Sequence, residues 1–211
     1  FHPALKGEND EKPRNEAAWG EKSGSLYTNA GFTPVVIGFE ENEQYQLIDI
    51  SHNGYDFMDD PMFHRRRVVR LPDDIYVIED RVTGICREDH DIRLYYNFAL
   101  GHLDGENGKF DYTSQKGRGY TMTVQADKKL DFEILEGSEN PIGGWISYGY
   151  AWRKPIPQLI AKHSGKAPIH FITVLAPEGT KAETAINGDA AMVTLAGGKV
   201  LTLTENAVEL H

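Results

Sequence analysis

The stretch Arg67-Val-Val-Arg-Leu-Pro-Asp-Asp-Ile-Tyr-Val-Ile-Glu-Asp80 decides the fold class. Two runs rich in β-branched and aromatic residues flank Pro72-Asp73-Asp74, and Pro and Asp are typical turn residues. We therefore predict two strands joined by a short turn, with Pro72 at the second turn position. Such a strand–turn–strand unit indicates an antiparallel sheet.

Similar short runs recur along the rest of the chain, most of them bounded by Gly, Pro, Asn or Asp. In the run from 120 to 126, Tyr120, Met122, Val124 and Ala126 fall on one face, as in a half-buried strand. The run from 169 to 175 is apolar on both faces, which predicts a strand covered on both sides. The predicted strands are residues 32–40, 44–52, 65–71, 75–82, 92–100, 120–126, 130–135, 169–176, 191–195 and 200–204.

Little of the sequence favours helix. Residues 156–161 would make at most one helical turn because Pro155 and Pro157 limit it, and residues 105–108 are predicted to form a polar loop. Ten or more short strands predict an all-β fold, a large antiparallel two-sheet β-sandwich. We place it at residues 25–211 and treat residues 1–24, rich in Glu, Asn, Lys, Gly and Pro, as an irregular lead-in.

Composition excludes several classes of function. The 211 residues suit one large domain, and 32 acidic against 22 basic residues give a net charge of -10. That balance argues against nucleic-acid binding, and an acidic sugar would need a local basic site. No run approaches the ~20 apolar residues of a membrane helix. The chain begins with Phe1 rather than Met, from which we expect a fragment or a processed product.

Two groups of motifs, covering roughly residues 45–177, resemble those of a known family. The first group ends on a Tyr-Tyr-Asn-Phe strand, and the second precedes a strand that ends in Pro177. They are similar to the C-terminal domain of heparinase II/III-like polysaccharide lyases. Asn53 stands where that family commonly has Asp, and Ala151 where it has Gly. The motifs are, in order, His52-Asn-Gly-Tyr55, Pro61-Met-Phe-His-Arg-Arg66, Ile75-Tyr-Val-Ile-Glu-Asp80, Gly84, His90, Tyr95-Tyr-Asn-Phe98 and Gly144-Trp-Ile-Ser-Tyr-Gly-Tyr150.

This resemblance implies a β-sandwich that packs against an α-helical toroid and completes its cleft. The implied reaction is β-elimination on a uronic-acid-containing polysaccharide, such as a glycosaminoglycan or alginate. A base removes the proton next to the carboxylate, and an acid protonates the leaving oxygen. The resemblance also implies a bacterial protein that is secreted, periplasmic or at the cell surface.

The family's metal site, where present, uses a His-x-His pair, an Asp and a further His. No His-x-His occurs in the 211 residues. We therefore expect no cofactor in this chain, and place any divalent metal such as zinc elsewhere in a full-length protein. By the same reasoning the toroid is missing, so the chain alone is predicted to be inactive.

Three residues are weak catalytic candidates. His52 with Tyr55 would supply an acid–base pair, and His90 lies between Asp89 and Asp91, whose carboxylates would orient it. The alternatives are a turn histidine that caps a strand end and a structural or surface histidine. The sequence alone does not decide between these catalytic roles and the structural alternatives.

Basic and aromatic clusters supply the candidate substrate contacts. On a strand, His64, Arg66 and Arg70 share one face while Arg65 and Arg67 take the other, so they cannot all bind one substrate. Arg66 is the best single candidate for a sugar carboxylate or sulfate. The alternative is ion pairing within the sandwich or to the missing toroid, with partners nearby in sequence among Asp59, Asp60, Asp73, Asp74, Glu79 and Asp80.

The second cluster contains Trp145, Tyr148, Tyr150 and Trp152, whose rings would stack on sugars or pack against a partner domain. Trp145 and Tyr150 match the family pattern and are the candidate substrate contacts.

Two other functions stay open besides the lyase domain. A free-standing carbohydrate-binding module predicts glycan affinity that falls when Trp145 or Trp152 becomes Ala. A purely structural or interaction domain predicts a large exposed apolar patch and no glycan binding.

Overall fold

The computed structural model describes residues 34–55 and 58–211, so the predicted lead-in of residues 1–24 lies outside the described residues. Within them the chain forms strands and short turns with no α-helix, and no segment forms a helix suited to crossing a membrane. The strands are β1 (Val35–Glu41), β2 (Gln46–Tyr55), β3 (Met62–Leu71), β4 (Ile75–Gly84), β5 (His90–Asn97), β6 (Gly101–Glu106), β7 (Lys109–Ser114), β8 (Gly119–Ala126), β9 (Asp131–Glu136), β10 (Ser138–Glu139), β11 (Ile142–Gly143), β12 (Trp145–Gly149), β13 (Trp152–Pro155), β14 (Pro157–Gly165), β15 (Ile169–Pro177), β16 (Ala182–Asn187), β17 (Ala190–Leu195), β18 (Val200–Leu203) and β19 (Val208–Leu210).

A central sheet of eight strands organises the molecule, in the order β1-β2-β3-β4-β15-β8-β7-β6. A three-stranded sheet, β5-β14-β9, packs on one face, and a four-stranded sheet, β16-β17-β18-β19, packs on the other. The pairings within these sheets are antiparallel. The predicted all-β antiparallel sandwich is confirmed, and the four-stranded sheet adds a layer behind it.

Strand β15 is covered on both faces, as its sequence predicted. Ile169 and Phe171 pack into the first core with the three-stranded sheet, whereas Ile172 and Val174 pack into the second core with the four-stranded sheet. Successive side chains of a strand point to opposite faces, so one apolar strand serves both cores.

The Pro72–Asp74 turn joins β3 to β4 as predicted, with Leu71 paired to Ile75. Asp73 and Asp74 have φ of 62° and 58°, a left-handed conformation that Asp tolerates better than most residues. This turn sets the register of β3 against β4, which places Arg66 opposite Asp80.

Two local predictions differ from the structure, one of them only in extent. Residues 156–161 form no helical turn; they belong to β14 or precede it, since Leu159 and Ala161 alternate into the first core between β5 and β9. The predicted polar loop at residues 105–108 is shorter in the structure: residues 105 and 106 end β6, and Asn107 and Gly108 form the turn of the β6–β7 hairpin at φ of 54° and 82°.

Candidate substrate-binding site

A cavity of about 450 Å³ opens between one end of β3–β4 and the edge strand β5. Its apolar lining consists of Met58, Met62, Val82, Ile92 and Leu94, and its polar lining of Tyr55, His64, His90, Asp91, Arg93 and Tyr95. Depressions of about 370 and 530 Å³ lie beside the β3–β4 turn, but no histidine lines them. Acid–base chemistry therefore singles out the first cavity, which we call the histidine pocket.

His64, in the histidine pocket, is held in place by a hydrogen bond to a buried carboxylate. Its Nε2 lies 2.6 Å from Oδ1 of Asp80, a residue with no exposed surface. Arg66 donates to the same carboxylate through Nε at 2.6 Å and Nη2 at 3.0 Å. His64, Arg66 and Asp80 meet because β3 and β4 are in register and all three point to the three-stranded sheet.

His52 extends this network by one ring. Its Nε2 lies 3.1 Å from Nδ1 of His64, and its Nδ1 accepts the backbone N–H of Gly54 at 3.1 Å. In the neutral state only one arrangement of protons satisfies these contacts: His52 donates from Nε2 to His64, and His64 donates from Nε2 to Asp80. Burial lowers the pKa of His52, and neighbouring His64 and Arg66 lower it further, so the neutral form is favoured.

His90 has a different partner from the one that the sequence suggested. Its Nε2 lies 2.9 Å from Oδ2 of Asp60, whose carboxylate also accepts the backbone N–H of Glu88 at 2.9 Å. The Glu88 N–H and the His90 hydrogen bond hold the pKa of Asp60 at about 2. The flanking carboxylates do not orient His90, because neighbours on a strand face the other way; Asp91 instead binds Ser164, Lys162 and Arg93.

Tyr55, Tyr95, Asp91 and Arg93 are accessible polar groups at the rim. Tyr55 is 46% exposed, and its ring centroid lies 5.5 Å from that of His52. Arg93 is ion-paired with Asp91 at 3.0 Å on the surface. The pocket thus combines two accessible phenols, two imidazoles held by carboxylates and a guanidinium.

Sequence reasoning did not select His64, Asp80 or Tyr96 as site residues. Strand alternation is the sequence feature that could have identified His64, since His64 precedes Arg66 by two residues and must share its face. Tyr96 lies deeper, where its hydroxyl bonds Thr173 Oγ1 at 2.7 Å. Burial raises the pKa of Tyr96, and the Asp80 carboxylate raises it further, so this phenol stays protonated.

Trp145 and Tyr150 do not line the histidine pocket. They belong to the hairpin of β12 and β13, where Trp145 is half-buried and donates its indole N–H to the Ser138 carbonyl at 2.9 Å. Tyr150 is fully exposed at the hairpin tip. The six residues predicted as candidates therefore separate: His52, Tyr55, His90 and Arg66 lie in or beside the pocket, and two lie on the hairpin.

Residues 9–187 of the sequence match the family model described as "Heparinase II/III-like, C-terminal". The chain belongs to the heparinase II/III-like C-terminal domain family. The match covers the whole central sheet and the whole histidine pocket, while most of the four-stranded sheet lies beyond its end.

Solved structures share the fold of this heparinase II/III-like domain. A structure described as a heparinase III gene product is 14% identical, with a TM-score of 0.62 over 84% of this chain and 27% of its own. The heparan sulfate lyase HepC from Pedobacter heparinus is 12% identical, with a TM-score of 0.64 over 85% of this chain and 29% of its own. The domain thus spans less than a third of these proteins. No curated protein sequence matches it.

Within residues 34–55 and 58–211, no group of three or more His, Cys, Asp and Glu side chains is arranged to hold a metal ion. The two closest imidazoles, of His52 and His64, are hydrogen-bonded to each other. These residues fit a proton-holding network rather than a metal centre.

Proposed function

We propose that this domain forms one wall of the cleft of a lyase that cleaves uronic-acid-containing polysaccharides by β-elimination. The observation that carries the proposal is the histidine pocket, with carboxylate-supported imidazoles and an exposed phenol in a domain of this family. The reaction needs a base, an acid and a group that neutralises the uronate carboxylate, and these residue types supply such roles.

Tyr55 and His90 are the proposed groups that face the substrate. The Tyr55 phenol is accessible at the rim, and the His90 ring lines the cavity with its Nε2 held by Asp60. His52 and His64 are proposed to act through Tyr55 as positioning residues, because their ring nitrogens bond each other, Gly54 and Asp80. Arg66 would contact a sugar carboxylate through Nη1, which the Asp80 carboxylate does not occupy.

The rest of the cleft is proposed to come from an α-helical toroid of the same protein. An apolar strip on β1 and β2 supports a contact surface of this kind. Val36, Phe39 and Ile48 are 67%, 69% and 39% exposed, and strand register places them on the face that carries His64 and Arg66. Such a strip favours burial against another domain.

The substrate class follows from the relatives and is also a proposal. Because similar structures are named heparinase III and heparan sulfate lyase, heparan sulfate is the first substrate to test, followed by alginate and hyaluronan. Such polysaccharides lie outside the cytoplasm, so we place the protein in the periplasm, at the cell surface or outside the cell.

The test compares the 211-residue chain with a protein that also carries the toroid, following the absorbance of the unsaturated uronate product. We expect turnover only with the toroid. In that longer protein, Tyr55→Phe and His90→Gln should each lower kcat by about 100-fold or more. Tyr76→Phe and His102→Gln, which do not line the pocket, serve as matched controls.

Two results would contradict the proposal. Turnover by the 211-residue chain alone would show that no second domain is needed. Full activity of both Tyr55→Phe and His90→Gln would show that the histidine pocket does no chemistry.

A further inference from the structure

The hairpin of β12 and β13 displays aromatic side chains that the histidine pocket does not use. Tyr148, Tyr150 and Trp152 are 61%, 103% and 43% exposed. We call this feature the aromatic hairpin. Exposed rings of this size, clustered on one short hairpin, are costly to leave in water and therefore indicate a binding surface.

Two of these rings form a shallow platform beside a cation. The centroids of Tyr148 and Trp152 are 5.4 Å apart with planes tilted by 47°. Lys154, two residues along the same strand face, places its Nζ 5.2 Å from the Trp152 centroid. No described carboxylate forms an ion pair with Lys154, in contrast to Arg153, which binds Glu139 at 2.5 Å.

Trp145 packs at the base of the hairpin and does not belong to the exposed ring pair. Its indole N–H is bonded to Ser138, and the guanidinium of Arg153 lies 4.0 Å from its ring centroid. The N–H edge of the Trp145 indole and one face of its ring therefore already have partners within the domain. Trp145 anchors the hairpin, and the Tyr148–Trp152 pair is left for a ligand.

We propose that Tyr148, Trp152 and Lys154 bind a chain of acidic polysaccharide. The electron-rich ring faces attract the weakly positive C–H groups on one face of a sugar ring. Lys154 supplies a local positive charge for a carboxylate or sulfate in a chain of net charge -10. This inference takes its class of polysaccharide from the proposed function.

The size of the platform favours a glycan over a protein partner. The two aromatic side chains, Tyr148 and Trp152, bury roughly 150–250 Å² each at most. A stable protein interface buries about 800 Å² on each side. One or two sugar rings match two aromatic rings and one ammonium group.

The experiment is calorimetric titration of the 211-residue chain with heparan sulfate, alginate and hyaluronan oligosaccharides, and with a neutral cello-oligosaccharide of equal length. We expect at least one acidic oligosaccharide to bind and the neutral one not to bind. Trp152→Ala and Tyr148→Ala should each weaken binding about tenfold or more. Lys154→Gln should weaken binding and reduce its dependence on salt.

Phe63→Ala and Lys116→Gln remove an exposed ring and an exposed cation elsewhere, and should leave the affinity unchanged. Far-ultraviolet circular dichroism and melting temperature confirm that each variant is folded. Unchanged affinity in Trp152→Ala, equal binding of the neutral oligosaccharide, or absence of binding by the unmodified chain would overturn the proposal. So would a Trp152→Ala variant that loses only its association with the toroid domain, which would make the hairpin a protein interface.

The two proposals fail separately. If the protein with its toroid shows no lyase activity but the chain still binds acidic oligosaccharides through Trp152, the hairpin proposal holds and the lyase proposal is wrong. If turnover depends on Tyr55 while Trp152→Ala binds normally, the lyase proposal stands and the hairpin proposal falls.

Discussion

At the scale of single residues, the central sheet carries charged networks on both faces. Arg66 pairs with Asp80 on the face of the first core, and Arg67 with Glu79 on the other. Both carboxylates are buried, and a buried carboxylate is strongly unfavourable without such partners. The arginine cluster that suggested a substrate clamp is therefore largely engaged in ion pairing within the fold, and Arg66 retains one free end of its guanidinium.

Glu79 makes the stability of the protein depend on acidity. Burial alone would raise its pKa, but hydrogen bonds from His170 and Arg67 and the charges of Arg67 and Arg81 together hold it at about 2, below its ordinary value of 4.5. Because the folded pKa is the lower one, the stabilisation is complete above about pH 4.5 and is lost as the pH falls towards 2. Its size is roughly 3 kcal/mol.

We expect Glu79→Gln to lower the free energy of unfolding by roughly that amount near neutral pH, and to flatten its decline between about pH 4.5 and pH 2. Urea unfolding at several pH values measures both effects. Glu183→Gln, at an exposed position of β16, is the matched control and should follow the unmodified chain. Parallel pH profiles for Glu79→Gln and the unmodified chain would contradict the assignment.

At the scale of elements, turns with positive φ decide how neighbouring strands meet. Asp73 and Asp74 close the β3–β4 hairpin, and Asn107 and Gly108 close the β6–β7 hairpin. Ala151, also at a positive φ of 56°, lies at the tip of the aromatic hairpin. A side chain in this left-handed conformation is strained, and Gly would adopt it at lower cost.

Asp73 offers a test of this conformational argument. Asp73→Gly should raise the free energy of unfolding by about 0.5 kcal/mol, because relief of the left-handed strain exceeds the added freedom of the unfolded chain. Asp73→Val should lower it by about 1–2 kcal/mol, since a β-branched residue resists this conformation. Thermal unfolding measures whether each substitution raises or lowers the free energy of unfolding. Asp131→Gly, in the extended and exposed part of β9, should be destabilising, and a stabilising result there would contradict the explanation.

At the scale of the whole molecule, two separate cores flank the central sheet. Leu159 fills the first core, Leu201 fills the second, and neither has exposed surface. Side-chain bonds to loop carbonyls also attach the four-stranded sheet, from Arg65 to Glu205 and from Arg81 to Asp189. The histidine pocket borders only the first core.

We expect Leu201→Ala and Leu159→Ala each to cost about 2–5 kcal/mol of stability, because each leaves a cavity in a packed core. Their local effects should differ. Amide hydrogen exchange should increase first in β16–β19 for Leu201→Ala and in β5, β9 and β14 for Leu159→Ala. Each variant is the control for the other, and identical exchange profiles would show that the three layers unfold as one unit.

Much of the architecture was accessible from the sequence because strand periodicity and turn chemistry are local. The alternation of β3 placed Arg66 and His64 on one face, and Pro72-Asp73-Asp74 marked the turn that sets their register. The β6–β7 hairpin also had a local signal in Asn107-Gly108, a frequent hairpin turn pair. The strand β14 was missed because its prolines obscured the pattern.

The sequence by itself determined most of the long strands, the β3–β4 turn and the face of β3 on which His64 and Arg66 lie. Only the tertiary structure decided that Asp60 holds His90 across 30 residues, that Asp80 joins His64 to Arg66, and that a third layer covers the central sheet. The physical reason is that side-chain direction follows from neighbouring residues along a strand. The choice of which strands lie together instead follows from burying apolar surface gathered from the entire chain.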